Sequence, residues 1–140
     1  MTDERRVRTK HAELSLEDIA ASLAGTGELM ASVGRSYGAC WHAAHGGNWE
    51  LAAYFLRRVR GAQRTLAVVR PQYRDQLAEF DADALSPLMT AIESRDLVAF
   101  ERAYDHGVER ANDYHVRTGK SYIRWKRPER PPDEFDLGPG

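Results

Sequence analysis

From Leu16 onward the apolar positions recur at steps of three and four, the spacing that lines one face of a helix. Leu16, Ile19, Leu23, Met30, Val33, Tyr37, Trp41 and Ala44 keep this spacing as far as Gly46-Gly47. Ser15, followed by Glu17 and Asp18, marks the start: a hydroxyl N-cap with carboxylates facing the free amides of the first turn. Gly25-Thr26-Gly27 interrupts the run, so the pattern predicts either one helix of about 30 residues or two helices broken there. Gly34 and Gly38 lie four apart on one face, which suits close approach of another helix or a flat ligand.

Gly46-Gly47-Asn48 is the sharpest turn signal in the chain. Beyond it Trp49, Ala52, Phe55, Leu56, Val59, Gln63, Leu66 and Ala67 face inward, with Arg57, Arg60 and Arg64 on the opposite, solvated side. Pro71 ends this helix. A turn so short makes the two helices antiparallel neighbours. Residues 72–95 form a third helical segment through Leu77, Phe80, Leu85, Leu88 and Ile92. Pro87 either follows a Ser86 N-cap in a new helix or kinks a continuous one. Asp96 caps the fourth helix, whose long run reaches Ile123. Its face carries Leu97, Phe100, Tyr104, Val108, Ala111, His115, Gly119 and Tyr122, which puts His115 on the buried stripe. No stretch alternates with period two for long enough to suggest a sheet. The pattern therefore predicts an all-α protein, an up-down-up-down antiparallel four-helix bundle over residues 14–124. A polar N-terminal tail (1–13) and a Pro-rich C-terminal tail (125–140) flank it.

Composition narrows the function classes. The 140 residues suit one domain, and the formal net charge of −1 argues against a dedicated nucleic-acid binder. Arg5, Arg6, Arg8 and Lys10 are close together but belong to a solvated tail. No run approaches the roughly 18 apolar residues of a membrane span. The charged start, Met1-Thr2-Asp3-Glu4-Arg5-Arg6, lacks the apolar core of a signal peptide, so the expected location is cytoplasmic. Cys40 is the single cysteine, which excludes an intramolecular disulfide and a cysteine-based zinc site.

Among chemistry-bearing residues His115 stands out, because a buried imidazole needs a partner. His42 and His45 share one helix side at a spacing that permits a two-histidine metal grip, without an evident third ligand. Glu-x-x-His does not occur, which argues against a ferritin-like di-iron centre. Tyr37, Trp41, Tyr104 and Tyr114 are aromatic groups at helical spacing that suit a core or a ligand pocket.

Trp41, the segment Gly47-Asn48-Trp49-Glu50-Leu51-Ala52, the opening Asp96-Leu97-Val98-Ala99-Phe100, and the frame Asn112, His115, Gly119, Tyr122 and Ile123 together resemble the four-helix-bundle c-type cytochromes related to cytochrome c-prime. The likeness covers roughly residues 28–128. It implies the bundle, often paired as a dimer, and a haem site on the fourth helix with His115 as axial ligand to the iron. Where that family has its two attachment cysteines, this chain has Ala111 and Tyr114, so thioether links cannot form. What the resemblance leaves is a non-covalent haem. His115, Tyr114, Ala111, Tyr37 and Trp41 would surround it, and Arg117, Lys120, Arg124 and Arg127 are candidate cations for its propionates. Three function classes follow. One is a small-ligand-binding bundle centred on His115. Another is an enzyme that reuses the pocket, with His115 and Tyr114 as acid–base or metal-ligating groups. The third is a cofactor-free interaction module.

Overall fold

Residues 5–139 are described by the computed structural model; Met1–Glu4 and Gly140, the outer ends of the two expected tails, lie outside them. The chain over these residues is mostly helical. It opens on a small hairpin, β1 (Arg6–Arg8) antiparallel to β2 (Glu13–Ser15), with Val7 opposite Leu14. The expected polar tail is thus exposed over residues 5–13 and carries this hairpin. The Thr9 hydroxyl closes the turn, accepting from Ala12 N (3.0 Å) and donating to Ala12 O (2.9 Å). Strands of three residues are too short to register as a two-residue period.

Six helices follow: α1 (Leu16–Ser22), α2 (Thr26–His45), α3 (Trp49–Val69), α4 (Arg74–Phe80), α5 (Ser86–Glu93) and α6 (Leu97–Arg117). A capping box between Ser15 and Asp18 starts α1. Of the two readings at Gly25-Thr26-Gly27 the broken one holds: α1 ends at Ser22, and none of its residues is buried.

The chain reverses by one device, used three times. At the end of α2, Asn48 N donates to Ala43 O (2.9 Å) and Gly47 N to Ala44 O (3.0 Å), around Gly47 at φ 80°. After α5, Asp96 N reaches Ala91 O (3.0 Å) and Arg95 N reaches Ile92 O (3.0 Å), with Arg95 at φ 52°. After α6, Lys120 N reaches His115 O (2.7 Å) and Gly119 N reaches Val116 O (3.1 Å), around Gly119 at φ 75°. Each is a Schellman closure with a left-handed residue just past the helix. Asn48 and Asp96 then turn their side chains to the next helix, accepting from Leu51 N (3.1 Å) and Ala99 N (3.0 Å). This shortens the expected last helix. Gly119 stops α6, so Gly119, Tyr122 and Ile123 are not on its face. Tyr122 is 78% exposed.

Pro87 falls in the first turn of α5, and the backbone before it stays helical instead of breaking at a Ser86 N-cap. Asp81–Leu85 form a π-helical turn that runs α4 into α5, and Ser86 N donates back five residues to Asp81 O. Pro87 has no N–H and its ring would press on the carbonyl four residues earlier; widening the preceding turn relieves that conflict. Arg60, expected in solvent, ties α3 to this turn by donating to Asp81 Oδ1 (3.0 Å) and Ser86 Oγ (2.7 Å).

α2 packs along α3, α5 packs on α3 and α6, and α6 also meets α2. The core holds Val33, Tyr37, Phe55, Leu56, Val59, Leu85, Leu88 and Phe100 among others. The buried stripe of α6 is Phe100, Tyr104, Gly107 and Ala111, whereas Leu97, expected on it, is exposed. Residues 125–139 form no regular element but lie against α2 and α3. Pro128 sits 3.6 Å from where a Gly38 side chain would begin, Phe135 meets Phe55 edge-on at 5.2 Å, and Asn48 Nδ2 donates to Asp136 O (3.2 Å). Gly38 thus admits a proline of the C-terminal strap, and Gly34 has nothing close. Among the described residues no helix is long and apolar enough to cross a membrane.

Candidate functional site

A cavity of about 560 Å³ opens where the first half of α2, the second half of α3, α4 and the end of α6 meet. It forms because the sequence places small residues on its walls, Gly27 and Ala31 on α2 and Ala111 on α6. Apolar side chains supply most of the remaining surface: Met30, Leu66, Leu77 and Phe80 from the helices, Ile123 and Trp125 from the segment after α6.

Three of the expected site residues, Ala111, Tyr114 and His115, line this cavity together. His115 is half-buried, and its Nδ1 is enclosed without a hydrogen-bond partner among the described residues. Its ring meets Trp125 edge-on, centroids 6.1 Å apart. Burial holds the His115 pKa below the ordinary imidazole value; the Ile123 backbone opposes this and the Lys120 charge adds to it. Gln63, deep in α3, also lines the space, and its Oε1 is buried with no partner.

Tyr114 contributes its ring and directs its hydroxyl elsewhere. Arg110 Nη2 donates to that hydroxyl (3.2 Å) and also to Glu79 Oε1 (2.8 Å), while Arg110 Nε lies 3.0 Å from Asp83 Oδ2. The Arg110 and Arg117 guanidiniums stand over the ring at 5.3 and 5.5 Å. Burial, with Glu79 bonded to the hydroxyl, raises the Tyr114 pKa.

Tyr37 and Trp41 are not in this cavity. Tyr37 stacks on Tyr104 at 4.2 Å, and each hydroxyl donates to the other residue's carbonyl, Tyr37 Oη to Tyr104 O (2.9 Å) and Tyr104 Oη to Tyr37 O (3.2 Å). Trp41 stacks on His45 at 4.1 Å beneath the Arg127 guanidinium. They are core residues because Gly107 opens a slot for the Tyr37 hydroxyl. The expected cations separate too. Lys120 lines the cavity, but Arg117 and Arg124 do not, and Arg127 is forked onto Asp105 (2.8 and 2.6 Å).

His42 and His45 do not act as a pair. His45 bonds Trp41 O and Glu101 Oε1, both at 2.8 Å, and His42 lies at the Arg130 backbone. Cys40 is buried and donates weakly to Ala52 O (3.4 Å); burial pushes its thiol pKa far up. Among the described residues no group of three His, Cys, Asp or Glu side chains could hold a metal ion.

Trp125 was assigned to the tail, yet it is a wall of the site. The Asn112 amide holds it at both backbone groups, donating to Trp125 O (3.0 Å) and accepting from Trp125 N (2.7 Å), and its ring tilts on Tyr37 at 5.4 Å. The one sequence sign was an asparagine on the inner edge of a helix with no partner of its own. Tyr73, also on the cavity, lies in a 3-10 turn that helical spacing does not reveal.

Burial lowers the pKa of His42 as well, with His45 adding to the shift and the Arg130 backbone opposing it. Two histidines that resist protonation in the folded chain give a definite sign. The unfolded chain binds more protons below its ordinary imidazole pKa, so stability rises with pH through that range and falls on acidification. The melting temperature should drop between about pH 7 and pH 5.5. The substitutions His42→Gln and His115→Gln should flatten that slope. A slope unchanged in the double variant would assign it to other groups.

Comparison with protein-family models, with curated proteins and with solved structures returns no match for this chain. The functional reading accordingly rests on the geometry above and on the sequence resemblance.

Proposed function

We propose that the protein is a small-ligand carrier or sensor. In this reading α2, α3, the continuous α4–α5 segment and α6 form an up-down-up-down four-helix bundle of the cytochrome c-prime kind. One ligand is held non-covalently beside His115. The observation that carries the proposal is the cavity itself: about 560 Å³, walled mainly by apolar side chains, with a half-buried imidazole, His115, on its wall. Sites for small organic ligands have volumes of about 300–1,000 Å³, apolar linings and a few polar groups.

Haem is the specific ligand to try first. What supports trying it is the lining, which has an imidazole at His115, a thioether at Met30, apolar walls and one cation, Lys120, for one of its two propionates. Bound haem would supply redox or gas-binding chemistry, and the chain's own part would be to hold it and exclude water. The acid–base reading has weaker support, because the Tyr114 hydroxyl is engaged by Arg110 and Glu79.

Hemin titrated into the purified chain should bind one-to-one with a shifted Soret band. His115→Ala should weaken binding tenfold or more, about 1.4 kcal/mol. Acid and organic solvent should extract all of it, since Ala111 and Tyr114 offer no sulfur and Cys40 is buried between α2 and α3. No binding would remove haem as the ligand. Binding that ignores His115→Ala would remove His115 as its centre.

A further inference from the structure

The cavity lining is mainly apolar, with Met30, Leu66, Leu77 and Phe80 from the helices, while the segment after α6 contributes Lys120. No aspartate or glutamate lines the space. Among the described residues several cations are held by carboxylates, Arg110 by Glu79 and Asp83, Arg127 by Asp105, Arg60 by Asp81, Lys126 by Glu129. Lys120 has no such partner among the described residues. It is half-buried, and its ammonium stands 5.6 Å from the centre of the Tyr73 ring, itself part of the lining. A lysine that served only the end of α6 would complete its role with an ammonium in water. This one is folded onto the wall of an apolar chamber.

We infer that the occupant is an amphiphilic anion: an apolar body against α2, α3 and α4, with one carboxylate-like group at Lys120. The inference rests on the ligand-binding reading above and adds the chemical class. A cationic ligand would meet Lys120 with no carboxylate on the wall to offset the repulsion, and a neutral one would leave its charge unused. An anion at this end supplies the missing charge. It also favours the protonated form of His115, which burial and Lys120 otherwise disfavour.

Two dyes with the same rings isolate the charge: 1-anilinonaphthalene-8-sulfonate, an anion, and N-phenyl-1-naphthylamine, which is neutral. Fluorescence titration of the full chain at physiological salt should give one-to-one binding of both, with the anion at least tenfold tighter. Lys120→Met should erase the difference and Lys120→Arg should keep it, with circular dichroism confirming that both variants fold. Displacement of the bound anion by decanoate or by hemin then separates an open-chain acid from a macrocyclic one. If both dyes bind equally and Lys120→Met changes neither, the charge inference is overturned and the cavity reading stands. If neither dye binds, the ligand-binding reading falls and takes this inference with it.

Discussion

Phe100→Ala destabilises the protein by about 3–5 kcal/mol, the usual loss when a buried phenyl ring is truncated. Phe100 is 0% exposed and its ring is enclosed by aromatic neighbours, Trp41 and Trp49 at about 6 Å and Tyr104 at 5.9 Å. Those rings sit on three helices, so they cannot all close on the void, and the cavity contribution adds to the lost transfer energy. A domain of this size has roughly 5–15 kcal/mol in total, so the variant is left marginal. Phe55→Ala should fall at the lower end of the range. Its ring meets Phe135 of the C-terminal strap, which is free to settle inward. Chemical denaturation at fixed pH measures both. A loss under about 1 kcal/mol at Phe100 would contradict its place in the core.

Gly107→Ala destabilises, although helix propensity predicts the reverse. Glycine inside a helix is about 1 kcal/mol worse than alanine. At this position, however, a β-carbon would collide with the Tyr37 hydroxyl. Tyr37 is 2% exposed, stacked on Tyr104 and bound to its carbonyl, so it has nowhere to retreat. Overpacking costs about 1–3 kcal/mol, and a displaced buried hydroxyl about 1–3 more. The net loss should be about 1–5 kcal/mol after the propensity gain. Gly61→Ala in α3 is the matched control, since nothing lies within 4 Å of its would-be side chain. That substitution should raise stability by about 0.5–1 kcal/mol. Opposite signs in thermal denaturation are the expected result; a stabilised Gly107→Ala would mean that the tyrosine pair is not locked.

What the sequence determined by itself is what short range decides. The inward face of α3 from Ala52 to Leu66, the caps Ser15 and Asp96, and the reversal at Gly46-Gly47-Asn48 all depend on residues within one or two turns of each other. Periodicity and capping chemistry report such relations directly. The same information located His115 near the inner edge of α6 and, with Ala111 and Tyr114, on what proved to be one cavity.

The tertiary structure decided the rest, because it depends on groups far apart in the chain. Helical spacing continued the last stripe through Gly119 and Tyr122. The chain instead closes at Gly119, since the Lys120 amide finds the His115 carbonyl once that residue turns left-handed. The π turn at Asp81–Leu85 answers a proline two residues past it and is held from α3 by Arg60. Tyr37 and Trp41 look like pocket aromatics until Gly107, 70 residues beyond Tyr37, opens a slot that draws Tyr37 into the core. Trp125 looks like tail until the Asn112 amide fastens it beside His115. Arg117, Lys120, Arg124 and Arg127 are equivalent as charges in the sequence. Only packing, through the Asp105 fork on Arg127 and the Tyr73 ring under Lys120, leaves one of them at the cavity.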